Sequence, residues 1–491
     1  MSSAAAASRR GRPLAAALAA DLRRIVGHRR VLDDPASLAA YESDALTLYR
    51  CRPGAVVLPG DRDELVACVR LLHRAGIPFA ARGAGTGLSG GALVPPGGVI
   101  LGLARMDRIL ELNPAERWAR VEPGVVNAEL SRAAAPHGLR YAPDPASQAV
   151  CTLGGNLAEN SGGPQCFLHG MTAQHVLEAE VVLADGRCER WGGPTLESDD
   201  LDLRGFLVGS EGSVAIASEI RLRLVPLPEA VATLLGAFAD LHAACEAVAE
   251  VVAAGLRPVA MEVMDRRAIR AVEASVYRAG LPTDAGAVLI VEVEGPAARI
   301  PEEAAEVEEI LERHRPLRLE RAANPAERAA IWKGRKGAGG AMGQLAPDSL
   351  VMDGVVPRSR LAEIMDFVLR VEEESGLPIA NLFHAGDGNI HPHFAYDARD
   401  REQARRVEEA ATRILRRCLD LGGSLSGEHG IGLEKEELLA EQFDPPTLEL
   451  MRRVRRAFDP AGLLNPDKGL PLPRGCAEAF HRHRRYRDGR A

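Results

Sequence analysis

The sequence lacks several features that would each indicate a particular class of protein. Its eight cysteines stand at positions 51, 68, 151, 166, 188, 245, 418 and 476, without a CxxC pair or a regular spacing. This scatter argues against a disulfide framework and against the closely spaced ligands of an iron–sulfur cluster. No apolar run approaches the roughly 20 residues that cross a bilayer, and the formal charge of −8 gives no general electrostatic reason to bind nucleic acid. We therefore expect a reduced, cytoplasmic protein without a membrane span or a nucleic-acid partner.

The length of the chain predicts more than one domain. At 491 residues it exceeds what one hydrophobic core usually supports, and 46% hydrophobic with 26% charged residues is typical of a globular protein. The residue pattern of the sequence changes near residue 226, where "VPLPEA" (225–230) has the composition of a linker. The Ala-rich start, through "PLAAALAADLRR" (13–24), is expected to form a first helix rather than a targeting segment, because its apolar run is short.

Turn and cap residues predict regular elements before this boundary. Strands are expected at "AVVLP" (55–59) and "IPFAA" (77–81), and the helix between them is capped by Asp61 and ended by Gly76, which makes a β-α-β unit. A hairpin is expected over 176–191, with its turn at Asp185-Gly186.

Strands and amphipathic helices alternate after the boundary. Three strands are predicted at "VAMEVM" (259–264), "AVLIVEVEG" (287–295) and "RPLRLERA" (315–322). This alternation predicts a second domain in which helices pack on a sheet, and the fold class expected for the chain is α+β.

The loop "RGAGTGLSGG" (82–91) is the first segment whose residues suit the binding of a cofactor. Gly85, Gly87 and Gly90 match the G-x-G-x-x-G dinucleotide fingerprint, and a predicted strand precedes them. That fingerprint must open a helix, whereas two prolines, two glycines and a strand follow this loop, so we reject the Rossmann interpretation. The loop still offers a close backbone approach and N–H groups for an anion, and a purely structural turn is an equal alternative.

Two further segments are dense in glycine and polar residues. "YAPDPASQAVCTLGGNLAENSGG" (141–163) contains so few core-forming residues that an ordered loop around another group, or else disorder, is expected. "VGSEG" (208–212) precedes a predicted strand. Three such loops in one domain indicate a long, phosphate-bearing cofactor that runs through it.

Histidines cluster in "NLFHAGDGNIHPHF" (381–394). The Gly-Asp-Gly-Asn turn folds the chain back, so His384 and His391 are expected to lie across a hairpin near its tip. Two imidazoles and one carboxylate make a three-ligand catalytic metal site, and Glu428 in "SGEHGIG" is the candidate carboxylate. The adjacent His429 is then the candidate for proton transfer. From the residues alone, structural hydrogen bonding by the two histidines is an equal alternative.

Taken in order, these motifs resemble a known family. "RGAGTGLSGG", "PDPASQAVCTLGGNLAENSGG" and "GSEG" are similar to the FAD-binding domain of the vanillyl-alcohol oxidase/p-cresol methylhydroxylase (PCMH) superfamily. "FHAGDGNIHP", "SGEHGIG" and "FDPAGLLNPDKGL" (458–470) narrow the resemblance to its branch of bacterial glycolate oxidases and D-lactate dehydrogenases. The similarity runs from about residue 50 to 470. It implies a two-part FAD-binding domain of PCMH type over 51–228 and an FAD-linked oxidase cap/substrate domain over 229–470, whose 458–470 stretch returns to the flavin. An N-terminal helical segment (1–50) and a basic tail (471–491) flank them.

The resemblance assigns roles to the polar loops. It implies that Arg82 to Gly91 wrap the FAD pyrophosphate, through Arg82, Gly83, Gly85, Thr86, Gly87, Ser89, Gly90 and Gly91. It further implies that the flavin and ribityl groups are lined by Pro143, Asp144, Ser147, Thr152, Gly154, Gly155 and Asn156, the adenine end by Glu211, Gly212 and Ile216, and the isoalloxazine by Asn465. Noncovalent FAD is expected because Thr86 stands where tethered relatives carry a histidine; a tether through His169 is left open.

The same resemblance implies a metal and a reaction. Related dehydrogenases use the positions of His384, His391 and Glu428 for a divalent ion, expected here to be Zn or Mn, while His393 only lines the pocket. The implied activity is FAD-dependent oxidation of a small 2-hydroxy acid, glycolate or D-lactate, to the 2-oxo acid, with His429 as general base and hydride transfer to the flavin. Arg335 is implied to bind the acid's carboxylate, although the residues alone favour a solvated helix face.

The sequence also gives expectations about the substrate and the electron acceptor. Relatives that act on dicarboxylates carry a lysine where this chain has Val351, which favours a monocarboxylate. Electrons are expected to pass to companion flavin and iron–sulfur subunits or to a quinone, and attachment to the inner membrane through such partners is left open. The alternatives are a non-catalytic flavin-binding subunit of an oxidase complex, a non-redox relative such as alkyl-dihydroxyacetonephosphate synthase, and a metal-dependent hydrolase with structural glycine loops.

Overall fold

The computed structural model describes residues 14–197 and 201–471, together with Tyr486. The chain forms two compact units: the first comprises residues up to 162, 171–227 and 428 onward, and the second comprises 163–170 and 228–427. Most of the predicted basic tail and the first 13 residues of the predicted N-terminal segment lie outside the described residues. Among the described residues, no helix combines the length and the apolar character needed to cross a membrane.

The regular elements are numbered here along the described chain. The strands are β1 (Val31–Leu32), β2 (Ala55–Val57), β3 (Phe79–Arg82), β4 (Val99–Gly102), β5 (Ile109–Asn113), β6 (Trp118–Val121), β7 (Leu139–Arg140), β8 (Val176–Val182), β9 (Cys188–Gly192), β10 (Ile216–Arg223), β11 (Val225–Pro226), β12 (Ala230–Phe238), β13 (Ala260–Asp265), β14 (Ala287–Gly295), β15 (Arg318–Arg321), β16 (Asp348–Val351), β17 (Gly354–Val355), β18 (Ile379–His384), β19 (Asn389–Ile390) and β20 (Pro392–Tyr396). The α-helices are α1 (Ala16–Val26), α2 (Pro35–Ala39), α3 (Arg62–Ala75), α4 (Asn127–Ala134), α5 (Leu153–Glu159), α6 (Cys166–His169), α7 (Leu203–Leu207), α8 (Leu241–Ala253), α9 (Arg266–Glu273), α10 (Ile300–Arg313), α11 (Pro325–Ala341), α12 (Leu361–Ser375), α13 (Arg401–Asp420), α14 (Leu439–Gln442) and α15 (Pro445–Phe458).

The described residues of the first unit form a four-stranded sheet, a larger five-stranded sheet and the short pair β7–β11. The four-stranded sheet has the order β1-β2-β4-β3, and β4 pairs in parallel with both β2 and β3. The predicted β-α-β unit is therefore confirmed, with α3 as its helix. The Asp61 side chain accepts a hydrogen bond from the Glu64 amide and caps α3, and Gly76 ends the helix at a φ of +63°. Leu65, Phe79 and Leu101 are fully buried in the core of this sheet.

The larger sheet of the first unit is antiparallel, with the order β5-β6-β10-β8-β9. The predicted hairpin is confirmed as β8 and β9, and its turn contains Gly186 at a φ of +82°. The predicted linker at 225–230 needs a correction, because its first two residues form β11, which pairs with β7.

The prediction of an unbroken loop over 141–163 is wrong. Residues Leu153–Glu159 form the helix α5, although two glycines in its first turn disfavour it. The Thr152 hydroxyl accepts a hydrogen bond from the Gly155 amide, and Leu153 and Leu157 are buried in the core one helical turn apart. Capping and tertiary packing thus outweigh the low helix propensity of the segment.

The second unit is built on an antiparallel sheet with the order β15-β12-β14-β13-β18-β19-β17. Strand β20 also pairs with β18, and β16 pairs with β20. The predicted strands at 259–264, 287–295 and 315–322 are confirmed as β13, β14 and β15. Helices α9 and α11 pack against each other and share a core with the sheet that includes Met264, Ile290 and Leu382. The α+β class predicted from the sequence is confirmed.

Candidate active site

A cavity of about 230 Å³ in the first unit is lined by the segments that the sequence singled out. The predicted cofactor residues on its wall are Arg82, Gly83, Gly85, Thr86, Gly87, Gly91, Ser147, Thr152, Gly154, Gly155, Asn156, Glu211, Gly212 and Ile216. Five others do not line it, namely Ser89, Gly90, Pro143, Asp144 and Asn465. Glu428 and His429 belong to the same wall, so one cavity brings the predicted cofactor loops beside the predicted general base.

Glycines are required where the backbone segments of this cavity meet. A Cβ on Gly83 would lie 2.2 Å from the Thr152 hydroxyl oxygen, and one on Gly154 would lie 2.9 Å from the carbonyl oxygen of Pro123. Gly85 has a φ of +71°, and its Cβ would meet the Arg82 guanidinium. The cavity is therefore walled by backbone that side chains would displace, which fits a long cofactor held by close main-chain approach.

Arg82 and Asp44 lie beside the first glycine loop on the wall of the cavity. The Arg82 guanidinium donates a hydrogen bond to the carbonyl oxygen of Ser43 at 2.9 Å. Asp44 is 6% exposed and accepts a hydrogen bond from the Leu46 amide. Burial raises the pKa of Asp44 to about 6, although Arg82 and Lys468 oppose the shift. The cavity wall therefore includes a carboxyl group that changes charge in mildly acidic solution.

Asn465 and Lys468 join the glycine loops to one another. The Asn465 amide donates hydrogen bonds to the carbonyl oxygens of Gly91 and Glu211, at 3.2 Å and 2.6 Å. The Lys468 ammonium donates to the same Gly91 carbonyl, to Leu93 and to the Asn465 side chain. Burial lowers the pKa of Lys468 to about 7. Lys468 stands in the quoted motif "FDPAGLLNPDKGL" but was not among the predicted site residues.

Glu211 anchors the loop that carries His429. Its carboxylate accepts hydrogen bonds from the amides of Ile431 and Gly432, each at 2.7 Å. Gly430 has a φ of +86°, and a Cβ there would lie 2.7 Å from Glu159 Oε2 and 3.0 Å from Glu211 Oε1. Burial, and then the charge of Glu211, hold the pKa of Glu159 well above its usual range. Glu159 lines the cavity and was also missed.

The histidine hairpin belongs to the second unit. His384 ends β18 and pairs with Asn389 of β19, and Gly388 makes the turn at a φ of +72°. The rings of His384 and His391 are perpendicular, with centroids 5.2 Å apart. Both side chains are buried, and so is His393 on β20. The hairpin therefore brings two of the predicted metal ligands together.

Hydrogen bonds fix the tautomers of these two histidines. His384 Nδ1 lies 2.7 Å from Glu262 Oε1, and His391 Nδ1 lies 2.9 Å from the carbonyl oxygen of Met352. A carboxylate and a carbonyl only accept hydrogen bonds, so each Nδ1 carries a proton, and in the neutral ring each Nε2 then keeps its lone pair. Imidazole nitrogens prepared in this way are typical ligands of Zn and Mn. Glu428 belongs to the first unit, and the complete three-ligand set stays a prediction.

Asp353 holds the chain just before Glu428. It is fully buried and accepts hydrogen bonds from the Asn389 amide at 2.8 Å, the Ser426 hydroxyl at 2.6 Å and the Gly427 backbone at 3.2 Å. The motif "SGEHGIG" is therefore anchored on both sides of its Glu-His pair, by Asp353 in the second unit and by Glu211 in the first.

Arg335 lies in the interior of the second unit. The residues alone favoured a solvated helix face for Arg335, and this prediction is wrong. Arg335 is 4% exposed, and its Nη2 lies 2.5 Å from Glu262 Oε2. Burial raises the pKa of Glu262, but Arg335 and His384 outweigh it and bring the pKa below its usual value. The same helix packs closely on Tyr277, since a Cβ at Gly337 would lie 2.2 Å from the Tyr277 ring.

Two buried carboxylates on the sheet of the second unit were not predicted, and one of them, Glu262, contacts predicted site residues. Glu262 and Glu292 are each 1% exposed on β13 and β14. Their sequence signal is a charged residue inside an otherwise apolar strand, as in "VAMEVM". His169, which was left open as a flavin tether, lies in the second unit with its Nε2 2.7 Å from Glu294.

Comparison with known proteins identifies the family. Residues 53–192 match the model of the FAD binding domain, and residues 227–469 match that of the C-terminal domain of FAD linked oxidases. Glycolate oxidase subunit GlcD of Escherichia coli (strain K12) is 42% identical over 94% of this chain and 93% of its own length. The chain belongs to the FAD-linked oxidase family.

Two further comparisons agree with this assignment. A D-lactate dehydrogenase of Anaerostipes hadrus is 30% identical over 90% of this chain and 95% of its own length. Among solved structures, p-cresol methylhydroxylase matches with a TM-score of 0.76 at 17% identity, over 93% of this chain and 98% of that one. The resemblance read from the motifs, the PCMH-type fold and FAD as cofactor are thereby confirmed. The family also sets aside the hydrolase alternative, because this FAD-linked chain is an oxidoreductase, as predicted.

Proposed function

We propose that this protein oxidises a small 2-hydroxy acid, glycolate or D-lactate, to the 2-oxo acid. The observation that carries the proposal is that the cavity lined by the predicted cofactor loops of the FAD-binding unit also has Glu428 and His429 on its wall. Relatives named as a glycolate oxidase and a D-lactate dehydrogenase, similar along nearly the whole chain, support the substrate class. FAD, when bound, supplies the acceptor for the hydride that leaves the α-carbon of the acid.

The proposal includes a divalent ion, Zn or Mn, held by His384, His391 and Glu428. The fixed tautomers of the two histidines support this set, since each presents Nε2 as a ligand atom. Such an ion, when bound, would lower the pKa of the substrate hydroxyl.

His429 is the proposed general base. A neutral imidazole ring can accept the hydroxyl proton of the acid. The hydrogen bonds from Ile431 and Gly432 to Glu211 hold the loop that presents the ring. Gly430 gives that loop the backbone conformation that a side chain would forbid.

Arg335 is the proposed anchor for the carboxylate of the acid. One of its terminal nitrogens is engaged by Glu262, and its Nε has no hydrogen-bond partner among the described residues. A buried guanidinium nitrogen without a partner is a strong donor for a carboxylate oxygen. Val351 lies on β16 and pairs with His393 of β20. Relatives that act on dicarboxylates carry a lysine at the position of Val351, which is apolar. This supports a monocarboxylate substrate.

The proposed electron acceptor is a companion flavin and iron–sulfur subunit or a quinone. The Escherichia coli relative is named as a subunit of glycolate oxidase, which supports a multi-subunit assembly. A cytoplasmic location, with attachment to the inner membrane through such partners, belongs to the same proposal.

Replacement of His429 by Ala tests the catalytic part of this proposal. We expect FAD to remain bound while anaerobic flavin reduction by the acid slows by roughly 10²-fold or more, the usual scale for loss of a general base. Stopped-flow absorbance measures the rate, and the exposed His137→Ala in the same unit is the control. A His429→Ala protein that reduces its flavin as fast as this control would remove His429 from the mechanism.

A further inference from the structure

Glu262 occupies an unusual position between two functional side chains of the second unit. It is the direct cross-strand partner of His384, since β13 and β18 pair in that register. One carboxylate oxygen lies 2.7 Å from His384 Nδ1, and the other lies 2.5 Å from Arg335 Nη2. Glu262 is 1% exposed, so water does not compete for either contact.

Each contact affects the tautomer or the position of the side chain that makes it. Because Glu262 accepts a hydrogen bond at Nδ1 of His384, the proton of the neutral ring lies on Nδ1 and the lone pair on Nε2. The ion pair with Arg335 compensates a guanidinium that would otherwise be buried alone, and it keeps Nη2 beside Glu262. One carboxylate therefore orients a predicted metal ligand and the predicted acid anchor together.

We propose that Glu262 is a positioning residue that sets the metal-binding tautomer of His384 and the orientation of Arg335 as one unit. The inference rests on the proposed function, because it concerns the same metal and the same acid. Glu262 itself touches neither the reacting atoms nor the substrate. It acts through His384 and Arg335, and its loss impairs metal binding and acid binding in the same protein.

The neighbouring strand offers a matched control. Glu292 on β14 is equally buried and accepts hydrogen bonds from Thr233, Arg328 and Trp332. Arg328 and Trp332 belong to α11, the helix that carries Arg335. None of these hydrogen bonds involves His384 or Arg335 itself. A purely structural role for buried carboxylates under α11 thus predicts the same consequences for Glu292 as for Glu262.

The test compares Glu262→Gln with Glu292→Gln in the FAD-loaded protein. Arg335 can only donate hydrogen bonds, so a glutamine at 262 should turn its oxygen to the guanidinium and its NH₂ group to His384 Nδ1, which favours the tautomer with the proton on Nε2. We expect the Kd for Zn²⁺ and Mn²⁺, measured by competition with a chromogenic chelator, to rise by about 10–100-fold, the usual cost of losing such a partner. We also expect the KM for glycolate or D-lactate to rise more than kcat falls. Glu292→Gln should leave the metal Kd within about threefold of wild type.

Four outcomes decide the proposal. A selective loss of metal affinity in Glu262→Gln supports it, and Glu262→Asp, which keeps the charge, should restore part of that affinity. Equal losses in the variants at 262 and 292 would reduce Glu262 to a structural role. An unchanged metal Kd in Glu262→Gln, with tight binding in wild type, would overturn the positioning role and leave the proposed function intact. A wild-type protein that binds neither ion would overturn the metal part of the proposed function and this inference with it. If Glu262→Gln does not fold, Glu262→Asp carries the comparison, and its metal affinity should fall more than that of Glu292→Asp.

Discussion

Burial and neighbouring charges determine the ionisation of the buried carboxyl groups in both units. In the second unit Glu262 stays ionised because Arg335 and His384 share it, whereas in the first unit burial dominates and raises the pKa of Asp44 and Glu159. The sequence shows such residues as isolated charges in apolar surroundings. It does not show their partners, because the contact between Glu262 and His384 joins residues 122 positions apart.

The raised pKa of Asp44 predicts a pH-dependent stability. The pKa is about 6 in the native protein and 3.8 in the unfolded chain, so the native state holds its proton longer. The stabilisation from this group is complete below pH 3.8 and is lost as the pH rises through 6. Between about pH 4 and pH 7, wild type should lose on the order of 3 kcal/mol of unfolding free energy relative to Asp44→Asn.

Urea unfolding of the flavin-free protein at several pH values measures this difference. The asparagine still accepts the hydrogen bond from the Leu46 amide, so the variant isolates the titration from the contact. Asp107→Asn, at an exposed position of the same unit, is the control. Parallel pH profiles of wild type and Asp44→Asn would show that Asp44 titrates normally in the native state.

Among the elements, those with strong end signals were predicted well. The helix α3 follows its cap residues at both ends, and the β8–β9 hairpin follows Asp185-Gly186. The helix α5 was missed because its glycines suggest a loop, while the burial of Leu153 and Leu157 that stabilises it depends on strands elsewhere in the unit. The burial of α11 was missed for the same reason, since it depends on carboxylates of β13 and β14.

The cap of α5 gives a prediction at this scale. Thr152→Ala removes the hydroxyl that accepts the Gly155 amide and that lies against Gly83 of the first glycine loop. We expect a loss of about 1 kcal/mol of unfolding free energy and weaker FAD binding, measured by urea unfolding and by flavin fluorescence. Thr152→Ser keeps the oxygen and should behave like wild type. An alanine variant as stable as the serine variant would mean that α5 does not depend on its cap.

At the scale of the whole molecule, the wording and order of the motifs predicted the family, the fold and FAD. They did not predict which compact unit includes the stretch 428–457. The first compact unit includes the chain from Glu428 onward, whereas the sequence assigned only 458–470 to the flavin. The contacts responsible join Glu211 to Ile431 and Gly432, and no local pattern encodes them. The predicted metal ligands are accordingly distributed over two units that the sequence presents as one domain.

An anaerobic titration of the purified protein with glycolate and with D-lactate tests the central claim most directly. The flavin absorbance near roughly 450 nm is followed in the native protein, after removal of metal with a chelator, and after addition of Zn²⁺ or Mn²⁺. We predict that one of the acids bleaches the flavin, that chelation abolishes the bleaching and that the added ion restores it. An FAD-loaded protein whose spectrum neither acid changes, with or without the ion, would contradict the proposed function.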